Sequence, residues 1–390
     1  MRVHCCLLVA VACAKAPPPP AECVATPTAQ ATRLIGATRG LTPSGRGLSP
    51  MGESVEVGQA PQNLVVSPDG TFAVTAEFGV HLRGLSIVGL QGPLGVLQQP
   101  VQSRSGGYLR GLAFAPDGTL YAANTGNHTV EAWDLAAQAH RDIQVQGDWP
   151  ADLALTSDGA TLYVAAAISA RLEKYDAQSG ALLAQAPTGG LYPQAIVLDE
   201  AGGTVYVANE GAPPGKRNKL NAFDAGTLAQ TGSYEVGKNP AALALDAQAR
   251  LLYVAASDSD WIDRIDLKAR AALTPIPLVQ PGLEDRPYPG LSVQPNALAL
   301  AGGRLYVSSG MLDAILVVDT LQAAQVGAIP VGFRPTAVVA AGEALLVANS
   351  RGNGTLPEVA VSQDDSDLPR GTIERVSPIP DGPALADATA

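Results

Sequence analysis

From about residue 55 to residue 378 the chain repeats one alternation: a short apolar run, a tight polar turn, a second apolar run, and a third that closes on an aspartate. One copy reads Leu153-Ala154-Leu155, Ser157-Asp158-Gly159, Leu162-Tyr163-Val164-Ala165, then Leu172 to Tyr175 and Asp176. Another reads Leu112, Pro116-Asp117-Gly118, Leu120-Tyr121, Val130 and Asp134. Runs of four to six residues bounded by Pro, Asp and Gly predict strands joined by hairpins, because Pro presets φ, Asp bonds its own backbone and Gly accepts φ > 0. The anchors Leu64, Leu112, Leu153, Ile196, Leu243, Leu298 and Val338 are spaced about 46 residues apart, the period of a four-stranded propeller blade.

Each unit divides into strands A to D. Strand A is almost wholly apolar (Leu64 to Val66, Leu112 to Phe114, Leu243 to Leu245, Leu298 to Leu300), as expected of an innermost strand covered on both faces. Ala113, Ala154, Ala244 and Ala299 share one column there, small enough for close approach near an axis. Strand B is Leu120 to Ala122, Leu162 to Ala165, Val205 to Ala208, Leu252 to Ala255, Leu305 to Val307 and Leu345 to Ala348. Strand C ends in Asp134, Asp176, Asp224, Asp266 or Asp319, which read as Asx-turn caps of the C–D turn rather than as a carboxylate site. The last unit has A, B and C (Thr372 to Val376) but no D. The segment Glu53 to Val57 enters the first unit as every other strand D enters its successor. The expected fold is therefore all-β: a seven-bladed β-propeller of four-stranded antiparallel blades, closed by an N-terminal strand that completes the last blade.

Leu162-Tyr163-Val164-Ala165, Val205-Tyr206-Val207-Ala208-Asn209 and Leu305-Tyr306-Val307 resemble the YVTN-type repeat of bacterial and archaeal propeller proteins. Val57-Gly58-x-x-Pro61, Val236-Gly237-x-x-Pro240 and Val331-Gly332-x-x-Pro335 are similar to that family's junction from strand D to strand A. The resemblance covers about 320 of the 390 residues and speaks for fold rather than activity. Arg39-Gly40-Leu41-Thr42-Pro43-Ser44-Gly45 and Arg370-Gly371-Thr372-Ile373 also resemble the propeller half of bifunctional propeller–phosphoesterase proteins. In those the metal-binding phosphoesterase half follows the propeller; this sequence stops at Ala390, so it is either a stand-alone relative or one part of a longer chain.

Residues 1–13 read as a signal peptide: Arg2 and His4 precede a short apolar run, and Ala10-Val11-Ala12-Cys13 resembles a lipobox, with Ala10 where Leu is usual. Cys13 would then be the lipidated mature N-terminus; the alternative is cleavage at Ala12-Cys13-Ala14 or Ala14-Lys15-Ala16. Residues 14–50 read as a Pro-rich spacer with a polyproline run, Pro17 to Pro20, and a Cys23 that reads as a solvated thiol, with an intermolecular crosslink as the alternative. The propeller takes 51–379 and a tail 380–390. The expected location is the cell envelope, with membrane contact only through the lipid anchor, since no apolar run is long enough to span a bilayer.

Composition narrows the function. A net charge of −11 argues against nucleic acid. All four cysteines (Cys5, Cys6, Cys13, Cys23) precede the repeats, so the propeller has neither disulfides nor thiolate metal sites. Gly-x-Ser-x-Gly, His-Glu-x-x-His and Cys-x-x-Cys-His are absent, and only His81, His128 and His140 fall in the propeller, so no catalytic, metal or cofactor residue is assigned. Gly211 to Arg217 is one residue short of a phosphate loop and carries Arg after Lys. Asp364-Asp365-Ser366-Asp367 reads as a solvated acidic loop, with calcium as the alternative. The irregular insertions (77–83, 98–107, 210–219, 279–293, 350–370) all fall in D–A and B–C connections, which share one face and mark it as the binding face. The residues just before strand A, Tyr108, Trp149, Tyr192, Asn239, Gln294 and Arg334, are the candidate lining of an axial mouth for a protein, glycan or small-molecule ligand. Glu77, His81, Glu210, Asp258 and Asp260 are placed near the same mouth, where an acid–base pair would make a lactonase-type hydrolase instead.

Overall fold

The computed structural model describes residues 40–41, 47–48, 50–79, 83–98, 107–211, 218–280, 292–352 and 370–389. Seven four-stranded antiparallel sheets form a ring, a seven-bladed β-propeller. Blades 1 to 6 span residues 61–98, 108–144, 150–187, 191–236, 240–277 and 295–330, and blade 7 takes 335–376 together with Glu53–Glu56. Blade 3 shows the plan: A is Pro150–Leu155, B Thr161–Ala166, C Arg171–Asp176 and D Leu182–Pro187. The closing strand is where the sequence places it, with Glu53 opposite Arg375 and Glu56 opposite Thr372.

The core is divided into seven apolar clusters, one at each seam between adjacent blades. Strand B, not strand A, is the most buried: Leu120–Asn124 and Ala344–Asn349 are buried at every position. Strand A is half-buried along much of its length, as in Pro61–Val66 and Pro240–Asp246. The reason is geometric. Strand B has a sheet neighbour on both sides and a blade against each face, whereas strand A presents one edge to the axis.

The repeat motif has a hydrogen-bonding purpose. Tyr121 and Tyr163 donate their hydroxyls to Ala177 O (3.1 Å) and Ala225 O (2.7 Å), in the C–D turn of the next blade. That turn is shaped by the aspartate ending strand C. Asp134, Asp176, Asp224, Asp266 and Asp319 each accept backbone N–H groups two or three residues on, at 2.7–3.0 Å.

Two segments outside the blades have local structure of their own. Within the 14–50 spacer, Gly40–Leu41 pairs with Gly47–Leu48. In the 380–390 tail, Gly382–Thr389 is a helix packed against the outer strand of blade 6. An alanine-rich run after a first-turn proline favours helix, and Leu385 buries its side chain in the seam between blades 6 and 7. Cys13, the lipobox, His81, the 211–217 motif and the 364–367 acidic run fall wholly or largely outside the described residues, as do most of the insertions.

Candidate functional site

Five of the six candidate residues occupy one structural position. Trp149, Tyr192, Asn239, Gln294 and Arg334 all have positive φ (48–64°), as does Ala60 in blade 1, and each precedes the proline that starts or enters strand A. The carbonyl of this residue accepts an N–H from the B–C turn of its own blade: Ala167 N to Trp149 O (2.8 Å), Ser257 N to Asn239 O (2.9 Å), Ser350 N to Arg334 O (2.9 Å). A left-handed residue costs roughly 1–2 kcal/mol, and the repeated hydrogen bond offsets it. Tyr108 is displaced by one residue. It pairs with Asn124 as Pro150 pairs with Ala166, and Gly107 accepts the turn N–H from Thr125.

Large apolar side chains break the surface on this face. Phe78, Trp149, Ile168, Leu191, Tyr192, Val279 and Met311 lie in or beside its connections, with Tyr192 53% and Trp149 36% exposed. Neither ring stacks on another aromatic among the described residues. Two surface grooves, of about 690 and 710 Å3, lie on the opposite, A–B turn side, around Pro116–Asp117 and Pro68–Gly70.

What closes the axis is Arg110. From blade 2 its guanidinium crosses the centre and donates to Ala241 O of blade 5 and Asn296 O of blade 6, the latter at 2.8 Å. Its charge lies beside Asp152 and Glu210. Burial pushes the Asp152 carboxyl up to about 6, against the opposing pull of the Ile196 N–H and of Arg110. Burial also raises Glu210, with Arg110 opposing and Asp258 reinforcing. Around this plug, side chains stitch blade to blade. Asn63 donates to Arg110 O, Asp152 accepts from Ile196 N (3.0 Å), Ser257 donates to Pro295 O, Asn296 to Pro335 O (2.9 Å) and Thr336 to Pro61 O (2.6 Å).

The other acidic candidates belong to the framework. Asp260 Oδ1 accepts Ser292 Oγ, Val293 N and Gln294 N at 2.8–3.0 Å, tying the entry of the next blade, and Asp313 does the same for Arg334 N. His128 Nδ1 accepts Trp149 N (3.3 Å) at the corresponding place. Glu77 is fully buried, and its Oε1 accepts Gly58 N (2.9 Å) and Ser86 Oγ. Glu173, Asp263 and Glu374 likewise receive Gln146 N (3.2 Å), Gly237 N (2.9 Å) and Gly332 N (2.9 Å). The glycine of the Val-Gly-x-x-Pro junction leaves no room for a side chain: a Cβ on Gly58 would lie 1.9 Å from Glu77 Oε2, one on Gly237 2.5 Å from Ala256 Cβ, and one on Gly332 2.6 Å from Asn349 Nδ2. The sequence reading missed this ring of carboxylates. Its one visible signal is an acidic residue at the third position of strand C, at Glu131, Glu173, Asp263 and Glu374, whereas Glu77 comes from strand B.

The ring makes stability pH-dependent. Burial raises Glu77 to about 8 and Glu374 to about 7. A carboxyl with a raised native pKa binds its proton more tightly folded than unfolded. Its contribution is complete below about pH 4.5 and is lost as pH rises through 7 and 8. Unfolding free energy should therefore fall between pH 5 and 8.5, by up to about 1.4 kcal/mol per pH unit per group. In Glu77→Gln the amide nitrogen would take the place of Oε2, which has no partner among the described residues. Urea titrations should show this variant matching the parent at pH 5 and exceeding it at pH 8.5; an equal loss in both would refute the assignment.

Comparison with known proteins bears on fold alone. No protein-family model matches the sequence, and no curated protein matches it. Among solved structures it is similar to a chain of Kuenenia stuttgartiensis hydrazine synthase, with a TM-score of 0.63 at 18% identity, over 76% of this chain and 94% of that one.

Proposed function

We propose that this protein is a non-catalytic binding or scaffold propeller, exported to the cell envelope and held there by a lipid on Cys13, that engages a protein partner through the loop-rich face. One observation carries the reading: the exposed large aromatic side chains among the described residues, Phe78, Trp149 and Tyr192, all lie on the face whose axial opening Arg110 closes. Such a surface suits docking better than turnover. The repeats' likeness to the YVTN type fits a module of this kind.

A photo-crosslinking amino acid at position 192 should capture a partner in envelope membranes. The same probe at Thr119, on the A–B turn side, should not, and Trp149→Ala should reduce capture at least tenfold. The captured chain should begin at a lipid-modified Cys13 by mass. Equal capture from both faces would overturn the docking reading.

The second reading is a lactonase-type hydrolase, or the recognition subunit of a phosphoesterase or redox enzyme. It is favoured by two carboxyls with raised pKa, Asp152 and Glu210, beside an arginine at a concave mouth. The similar hydrazine synthase chain belongs to a named enzyme, which adds to this reading. Against the hydrolase, Asp152 already has Oδ1 on Leu153 N (2.9 Å) and Oδ2 on Ile196 N (3.0 Å).

A further inference from the structure

We propose that the outer half of blade 2 carries a site for a first-row divalent cation such as Zn2+, formed by Glu131, His140 and Asp142. In this blade strand C is Thr129–Asp134 and strand D is Ala139–Gln144, and their register sets Glu131 opposite Asp142 and Trp133 opposite His140. One donor atom from each of Glu131, His140 and Asp142 lies within 4.8 Å of the others. A nitrogen and two carboxylate oxygens form a donor set suited to Zn2+ and its neighbours, with room left for water.

Two further features point to a cation. The first is the cross-strand pair itself. Two carboxylates directly opposite one another repel. At the same position of strand C, Glu173 faces Gln185 and Glu374 faces Ser54; within this ring of buried acids only the Glu131 pairing puts a second acid opposite. The second is the support around the ligands. Glu131 is 3% exposed, and its oxygens are held by Asn124 Nδ2 (2.8 Å) and Trp133 Nε1 (2.9 Å). The Trp133 ring covers the imidazole at 4.2 Å between centroids. Metal ligands are commonly oriented by hydrogen bonds of this kind. His140 Nδ1 lies 2.9 Å from Asp142 Oδ1. A bound cation would take the place between them, the neutral ring keeping its proton on Nε2.

The test uses the chelator-treated full chain and ZnCl2 alone, followed by calorimetry. One ion should bind per chain, with affinity falling at least tenfold in His140→Ala and in Asp142→Asn. Asp148→Asn, which alters a second histidine–aspartate pair with His128 at 3.7 Å, should leave it unchanged. With Ni2+ as probe, tryptophan emission should be quenched in the parent and spared in Trp133→Phe. Absence of saturable binding below millimolar Zn2+ would show that the His140–Asp142 hydrogen bond and the donors to Glu131 suffice without a cation, and binding undiminished in His140→Ala would place the ion elsewhere; either result overturns the proposal.

Discussion

Removing Glu53–Glu56 should unfold the protein or leave it aggregated, although the segment is four residues long and mostly exposed. Its cost lies in what it covers. Ile373 is fully buried, and Val57, entering the seam behind the strand, is 1% exposed. Freeing a side chain of that size costs about 1.5–3 kcal/mol. The strand also places Gly52 N on Glu374 Oε1 (2.9 Å) and Glu53 on Arg375. Losing the first strips a donor from a buried carboxylate, for roughly 1–3 kcal/mol more. The sum approaches the whole stability of an ordinary domain. The ring would also gain a bare edge at Thr372–Val376, which templates association. Thermal melts and size-exclusion chromatography of the chain lacking 53–56 should show a midpoint at least 10 °C lower, or soluble aggregate. A monomer melting like the parent would mean that blade 7 stands on three strands and that closure is ornamental.

Blade number, strand order and closure were legible in the sequence because they depend on the spacing of apolar runs and turn residues, which each repeat states again. The turn aspartates were legible for the same reason. The axial site was not, and Arg110 shows why. Counting back four residues from each anchor finds the position before strand A in six blades but gives Tyr108 in blade 2. There strand A carries one more bulged residue: Tyr108 to Leu112 spans two partners on strand B, where Pro61 to Asn63 spans one. The extra residue moves the turn acceptor to Gly107 and sends Arg110 to the axis. A bulge is a local change of backbone twist, and no residue type announces it. The buried carboxylates were hidden differently. Their partners are backbone N–H groups of a distant loop, so no residue type near them in the sequence announces the contact.

Arg110→Met should destabilise the protein by about 2–4 kcal/mol, below the full cost of breaking a buried ion pair because the mouth is partly open to solvent. The guanidinium bonds blades 5 and 6 from blade 2 and is the cation beside Asp152 and Glu210. Without it the native Asp152 pKa should rise further above 6. A raised carboxylate pKa withdraws stability as pH increases, so the deficit of the variant should be small at pH 5 and largest above pH 7. Arg110→Lys keeps the charge but loses the fork to two carbonyls, and should recover the pH dependence more than the melting point. The same measurement separates the two functional readings. An arginine kept to bind an anionic substrate commonly holds its site at some expense of stability, and its removal would leave the fold as stable or more so while abolishing turnover. An arginine that locks the ring behind a docking face leaves an unstable propeller that still presents Trp149 and Tyr192. Denaturant curves of Arg110→Met at pH 5 and 7.5, with crosslinking from position 192 at a temperature where the variant remains folded, should give the second pattern.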